Sequence, residues 1–334
     1  MFASRACLIV LFACFFCPCA SFASNYKYMR TGSAEDRQTH PAAGIAMMGG
    51  GSDLDEAFSW LCRKAAGGDF LVLRARGDDE YNSYVNGLCK LNSVATLVIP
   101  DRESAGDARV ADIIRHAEAL FIAGGDQSRY VNFWQRTPVE EAINSDIADG
   151  KPIGGTSAGF AVLGEFVYGA MNDKPDDADL SSPQALRDPY QERVTLVRDF
   201  LQIPQLKNFI TDSHFAKRDR MGRSLVFLAR IVQDGWEASP REIAIDEKSA
   251  VLVEPDGRGL VVGPGYGAYF IRPTKAPTQC RAGVPLSFPD VAVFHARRKT
   301  VFDLAGWKGE KGESYILSVE QGSIHSSQGG NAAY

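Results

Sequence analysis

Pro152-Ile153-Gly154-Gly155-Thr156-Ser157-Ala158-Gly159 decides the reading of this chain, because a short apolar strand runs straight into the pattern G-x-S-x-G. The helix-compatible run of residues 160–166 follows. A sharp strand-to-helix turn needs small neighbours so that backbone can crowd around an exposed serine oxygen. It also aims the N-terminus of the helix at developing negative charge. Ser157 therefore reads as a nucleophile.

Working outward, residues 44–48, 70–73, 94–99 and 120–123 are further short apolar runs of the buried-strand type. Residues 54–66, 108–117 and 139–148 carry apolar positions at three- and four-residue spacing, the last with Pro138 suited to its first turn. Strand alternating with helix predicts an α/β fold: a three-layer αβα sandwich around a mostly parallel sheet. Ligands bind such sheets at the carboxyl ends of the strands. There stand Gly49-Gly50-Gly51-Ser52, Gly124-Gly125-Asp126-Gln127 and the serine turn itself. After Tyr168, a segment with Asp173, Asp176, Asp177 and Asp179 reads as a loop over that edge, a solvated acidic loop being the plainer account. Residues 43–255 are assigned to this α/β domain. Residues 256–325 are strand-like, a C-terminal β-rich part that completes or is appended to it, and residues 326–334 are expected to fray.

With 36 Lys and Arg against 41 Asp and Glu, the net charge of −5 offers no pull toward phosphate backbones or anionic lipid, which sets nucleic-acid binding aside. Residues 1–23 combine an early Arg5, an apolar run over 6–16, and small residues around Ala23. That run is too short for a membrane span, which takes about 20 residues. They read as a secretory signal peptide, with 24–42 a polar, mobile leader and the mature product secreted or periplasmic, away from the membrane. Cleavage would leave Cys62, Cys89 and Cys280. One disulfide is expected in an oxidising compartment, with Cys62 and Cys89 the candidate pair, although spacing does not determine connectivity. The mature part lacks C-x-x-C, H-E-x-x-H and H-x-H, so a zinc site is not expected, and acyl transfer through a serine needs no metal or organic cofactor.

A nucleophilic serine needs a base, and five histidines permit elimination. His40 lies in the leader, His325 in the tail, His116 between charged Arg115 and Glu118, and His295 along a late strand beside Arg297 and Arg298. His214 remains, in Thr211-Asp212-Ser213-His214-Phe215, where a strand end meets the expected edge. A third group should orient the imidazole, and Ile245-Asp246-Glu247-Lys248 offers two carboxylates at another strand end. The order serine, histidine, acid disfavours the α/β-hydrolase fold, in which the acid precedes the histidine.

Gly124-Gly125-Asp126-Gln127, the serine turn, Asp212-Ser213-His214-Phe215 with Arg218, Arg220, Gly222 and Arg223, and Ile245-Asp246-Glu247 together resemble the cyanophycinases and the wider peptidase family S51. The resemblance covers about residues 44–253. It implies a secreted serine peptidase on a class I glutamine amidotransferase-like, flavodoxin-like fold, acting on aspartyl peptides. Cyanophycinases cut a polyaspartate backbone bearing arginine on its β-carboxyls into β-Asp-Arg dipeptides, while relatives cleave α-aspartyl dipeptides. By the same resemblance Ser157 is the nucleophile, His214 the base and Glu247, rather than Asp246, the third member. Backbone N–H groups of Ala158 and Gly125 form the oxyanion hole, and Gln127, Asp212, Arg218, Arg220 and Arg223 line the substrate region. The resemblance also suggests a homodimer. Guanidinium forks suit carboxylates, and Asp212 could receive an amine or guanidinium. Helical spacing puts Arg220 and Arg223 on one face, so one of the three arginines is expected to be structural.

Two other classes stay open. One is a non-catalytic periplasmic binding protein on the same fold. The other is a nucleotide-binding Rossmann domain at Gly49-Gly50-Gly51, whose spacing fits a tight turn better than G-x-G-x-x-G.

Overall fold

The structure is a computed structural model that describes residues 25–173 and 179–334. The signal-peptide reading and Asp176 and Asp177 of the acidic segment lie outside the described residues. In chain order the strands are β1 (Lys27–Gly32), β2 (Ile45–Met48), β3 (Asp69–Arg74), β4 (Ser93–Val98), β5 (Ala119–Ile122), β6 (Ile153–Thr156), β7 (Phe166–Tyr168), β8 (Leu196–Arg198), β9 (Phe209–Asp212), β10 (Arg241–Ile245), β11 (Ala250–Val253), β12 (Arg258–Val262), β13 (Ala268–Pro273), β14 (Gln279–Arg281), β15 (Val284–Ala296), β16 (Val301–Asp303), β17 (Lys308–Gly309), β18 (Glu313–Glu320) and β19 (Ser323–Ser326). The helices are α1 (Asp55–Lys64), α2 (Glu80–Leu88), α3 (Arg102–Ala105), α4 (Ala108–Arg115), α5 (Gln127–Trp134), α6 (Pro138–Ala148), α7 (Ala158–Ala161), α8 (Ser182–Arg187) and α9 (Met221–Gln233).

One sheet runs β1-β4-β3-β5-β6-β2-β11-β12-β16-β17. Its central run β4-β3-β5-β6-β2 is parallel. Those strands are buried nearly throughout, as strands covered on both faces must be. Phe58 of α1 packs within 4.7 Å of Phe121 on β5, and each such buried ring contributes about 1.5–3 kcal/mol. A second sheet runs β19-β18-β15-β13-β10-β9-β7-β8, with β7, β9 and β10 parallel.

The α/β class with a parallel core is as expected, but the strands divide between two sheets rather than one. The reason lies just after Ser157. Residues 160–163 are buried on every side, and periodicity cannot distinguish a short buried apolar run in a helix from one in extended chain. Helix α7 closes after one turn, and the chain re-extends as β7 to enter the second sheet.

Two termini also differ from expectation. Residues 27–32, read as mobile leader, form edge strand β1 antiparallel to β4. Arg30 Nη2 pairs with Asp69 Oδ1 at 3.0 Å, and Asp69 also accepts from Ser93 Oγ at 2.5 Å. The polar composition is that of a charged sheet edge, not of a free tail. Near the other end, the Tyr334 ring lies 5.8 Å from Phe215 and 5.9 Å from Tyr269, both edge-on, so the segment read as frayed is anchored. The Cys62–Cys89 disulfide joins α1 to the end of α2 across 27 residues. Loop-closure entropy alone values such a link at about 3.5 kcal/mol.

Candidate active site

The carboxyl ends of β2, β5 and β6 in one sheet and of β9 and β10 in the other converge on one edge. The loop Gly49–Gly51 joins them. Gly49 O accepts from His214 N at 2.8 Å, and Gly50 O accepts from Lys248 N at 3.0 Å. Met48 O, one residue earlier, accepts from Ser157 N at 3.1 Å.

Ser157 sits at φ 52°, ψ −118°, a conformation that costs a residue with a Cβ about 1–3 kcal/mol. The surroundings hold it there. A Cβ at Gly159 would meet Ile122 O at 2.0 Å, so only glycine lets the turn pack against the end of β5. Thr156 Oγ1 donates to Asp53 Oδ1 at 2.6 Å, and Asp53 Oδ2 accepts from Tyr81 OH at 2.6 Å. The sequence reading missed this Tyr81-Asp53-Thr156 brace, whose only local signal is an acid just beyond the Gly49–Gly51 loop.

Ser157 Oγ lies 2.7 Å from His214 Nε2, and His214 Nδ1 lies 2.7 Å from Glu247 Oε1. The network assigns the tautomer: Nδ1–H donates to the carboxylate, leaving Nε2 to accept from the hydroxyl. Burial pushes the His214 pKa below the ordinary imidazole value. Glu247 opposes that shift, while Arg218 and Arg220 add to it. Glu247 is itself held below the usual carboxylate range, chiefly by the histidine hydrogen bond. Gly50 makes room for the ring, because a Cβ there would lie 2.5 Å from His214 Cε1 and Nε2. Asp246, the other acid considered, turns away and accepts from Lys217 N at 2.9 Å. Of the remaining histidines, His295 is buried and stacked on Tyr269 at 4.2 Å, and His40, His116 and His325 are exposed.

The serine, the histidine, Gly125 and Ala158 border a cavity of about 350 Å³. Gln127, Arg218, Arg220 and Arg223 also line it, together with Asp173 and Asp179 of the acidic segment read as a loop over this edge, and Tyr168, which the sequence did not single out. Asp212 departs from the expectation of a substrate contact: the residue is 2% exposed and is not among those lining the cavity. Arg223 grips it through Nε at 2.7 Å and Nη2 at 2.5 Å, and Arg220 Nη1 adds a contact at 3.2 Å. A charge taken from water must find partners nearby, and β9 and α9 supply them internally. Burial raises the Asp212 pKa, but the two guanidiniums outweigh it and hold the acid ionised. The Arg223 fork is thus spent on Asp212. Arg220 also reaches Asp179, and half-exposed Arg218 bonds Asp179 at 3.1 Å. The helix that starts beside these arginines is capped from afar. Met221 N donates to Tyr334 OH at 2.8 Å, and Gly222 N donates to Ser182 Oγ at 2.9 Å.

A hydroxyl, an imidazole and a carboxylate in this line can generate an oxygen nucleophile. Among the described residues no group of three or more His, Cys, Asp or Glu is arranged to hold a metal, and no helix is long and apolar enough to cross a membrane.

The family model described as Peptidase family S51 matches residues 77–256. The cyanophycinase of Trichormus variabilis is 30% identical over 175 residues, which cover 52% of this chain and 51% of the relative. The cyanophycinase of Synechococcus elongatus is 25% identical over 248 residues, 69% of each chain. The chain thus spans about half the length of the first of these relatives. A peptidase of known structure from an acI-B1 Actinobacterium aligns over 86% of this chain and 98% of its own, at 17% identity and a TM-score of 0.48. The matched span takes in more than half of the sequence and contains Ser157, His214 and Glu247, and the chain belongs to peptidase family S51.

Proposed function

We propose that the chain is a secreted serine peptidase of the cyanophycinase type, hydrolysing aspartyl peptides through an acyl-enzyme on Ser157. The substrate is a β-Asp-Arg polymer or a related isoaspartyl peptide. The observation that carries this reading is the unbroken line from Ser157 through His214 to Glu247, opening into a cavity walled by Arg218. The fold is of the class I glutamine amidotransferase type, supported by the parallel run of strands with the site at its carboxyl edge. Secretion is supported by the apolar stretch at residues 6–16 and by the Cys62–Cys89 disulfide. A homodimer follows the family resemblance.

In the reaction, His214 Nε2 takes the Ser157 proton as Oγ bonds to the aspartyl carbonyl carbon. Backbone N–H groups of Ala158 and Gly125 hold the resulting oxyanion. Collapse of the tetrahedral species breaks the C–N bond, and the leaving amine receives its proton from the imidazolium. Water then attacks the ester by the same path, releasing the acid and restoring Ser157. Glu247 stabilises the imidazolium at both stages. Arg218, the most accessible of the three guanidiniums, pairs with a substrate carboxylate.

Product analysis tests the proposal. The mature protein and its Ser157→Ala variant are incubated with the β-Asp-Arg polymer and with short α- and β-aspartyl peptides. Serine-dependent release of β-Asp-Arg is expected. Cleavage restricted to α-aspartyl dipeptides would replace the substrate assignment, and no cleavage by the wild type would favour a binding protein.

A further inference from the structure

A second cavity, of about 430 Å³, lies against Glu247 and is lined by Lys217, Glu247, Lys248, Tyr266 and Arg297. It borders the same Glu247 whose Oε1 bonds His214, so the hydrogen-bonded His214–Glu247 pair stands between the two cavities, which share no lining residue. Its cations are exposed at the ends of three different strands, after β9, β10 and β15. Neither Lys217 nor Lys248 is in an ion pair among the described residues, and Arg297 has only Glu313 at 3.8 Å. The carboxylates in this wall are already engaged. Asp246 is 2% exposed and accepts from Lys217 N, and Glu247 is bonded to His214. Tyr266 is 66% exposed, while its backbone is fixed by His295 Nε2, 2.7 Å from the Tyr266 carbonyl. The result is a concave surface with three underused cations and one aromatic face.

We propose that this second cavity is a remote subsite that takes the carboxylates of an aspartyl substrate beyond the residues flanking the scissile bond. The inference rests on the peptidase reading above. The distance suits it. From Ser157 Oγ to Glu247 the path is two hydrogen bonds of 2.7 Å and one imidazole ring, a reach that about three extended residues cover. A substrate longer than a dipeptide is thus long enough to reach from Ser157 to the cationic surface. The subsite makes affinity depend on substrate length, with little effect on the bond-breaking step.

The test compares an aspartyl dipeptide with the same dipeptide extended by four aspartyl residues, using wild type and a Lys217→Gln/Lys248→Gln/Arg297→Gln variant. Three partly exposed ion pairs together correspond to roughly a tenfold change in KM. The wild type is expected to show that advantage for the longer peptide and to lose most of it in high salt. The variant should lose the advantage while keeping its kcat and KM for the dipeptide. An unchanged KM for the long peptide in the variant, or equal loss on both substrates, would overturn the subsite. Direct titration of the long peptide into Ser157→Ala protein, with and without the three substitutions, separates this failure from that of the parent proposal. If the wild type cleaves no aspartyl peptide, equal binding to both forms still refutes the subsite and weaker binding to the substituted form still supports it.

Discussion

Residues 212–223 supply two assemblies built on opposite principles. His214 joins Ser157 and Glu247 in a line reached through glycines and left-handed backbone, with φ of 52° at Ser157 and 47° at His214. Two residues earlier, Asp212 enters a cluster with Arg220 and Arg223 in which all three residues are at most 6% exposed and both guanidiniums bond the carboxylate. The reacting line is set by backbone geometry, whereas the neighbouring cluster is set by a buried carboxylate held between two guanidiniums. The difference teaches that a residue next to a reactive one in sequence can belong wholly to the scaffold.

Each prediction presses on that contrast. Ser157→Ala should lower turnover roughly 10⁴-fold or more while leaving the thermal midpoint near that of wild type; comparable losses of turnover and stability would erase the distinction. Asp212→Asn should do the reverse. It strands two buried guanidiniums and should cost about 3–5 kcal/mol in denaturant unfolding. The cluster's contribution is present above the ordinary carboxylate range and disappears as pH falls through the lowered native pKa of Asp212, so the stability gap between wild type and variant should narrow as the pH is lowered through that range. A loss below 1 kcal/mol would contradict a scaffold role.

Gly50→Ala places a methyl against the His214 ring and should cut kcat roughly 100-fold through misplacement of the base. A normal kcat would show that the ring tolerates displacement. Tyr334→Phe removes only the hydroxyl that caps Met221 and donates to Asp219, and unfolding should register a loss of about 1 kcal/mol. The smallest effect concerns pH. Since burial lowers the His214 pKa, the acid limb of kcat/KM should lie below the ordinary imidazole value of about 6.5. A limb at or above 7 would contradict the buried, neutral base.

The parallel core was legible because each of its strands is a short apolar run bounded by turn residues. The convergence of Ser157, His214 and Glu247 was accessible through the serine turn, the scarcity of histidines and the family resemblance. What escaped the sequence depends on three-dimensional neighbours. The division into two sheets follows from a one-turn α7 whose buried sequence has no periodic face. Strand β1 was hidden because edge strands carry polar residues, and Tyr334 because its partners lie more than 100 residues away in the chain. Asp212 was read as open to substrate because residue type and position do not reveal that Arg223 has already taken it.

The most direct measurement is reaction with a serine-directed fluorophosphonate probe, following covalent label at Ser157 by peptide mapping and aspartyl-peptide cleavage in the same samples. The account predicts that label appears at Ser157, that cleavage falls in proportion to it, and that Ser157→Ala protein takes no label there. Undiminished cleavage by fully labelled protein would contradict it.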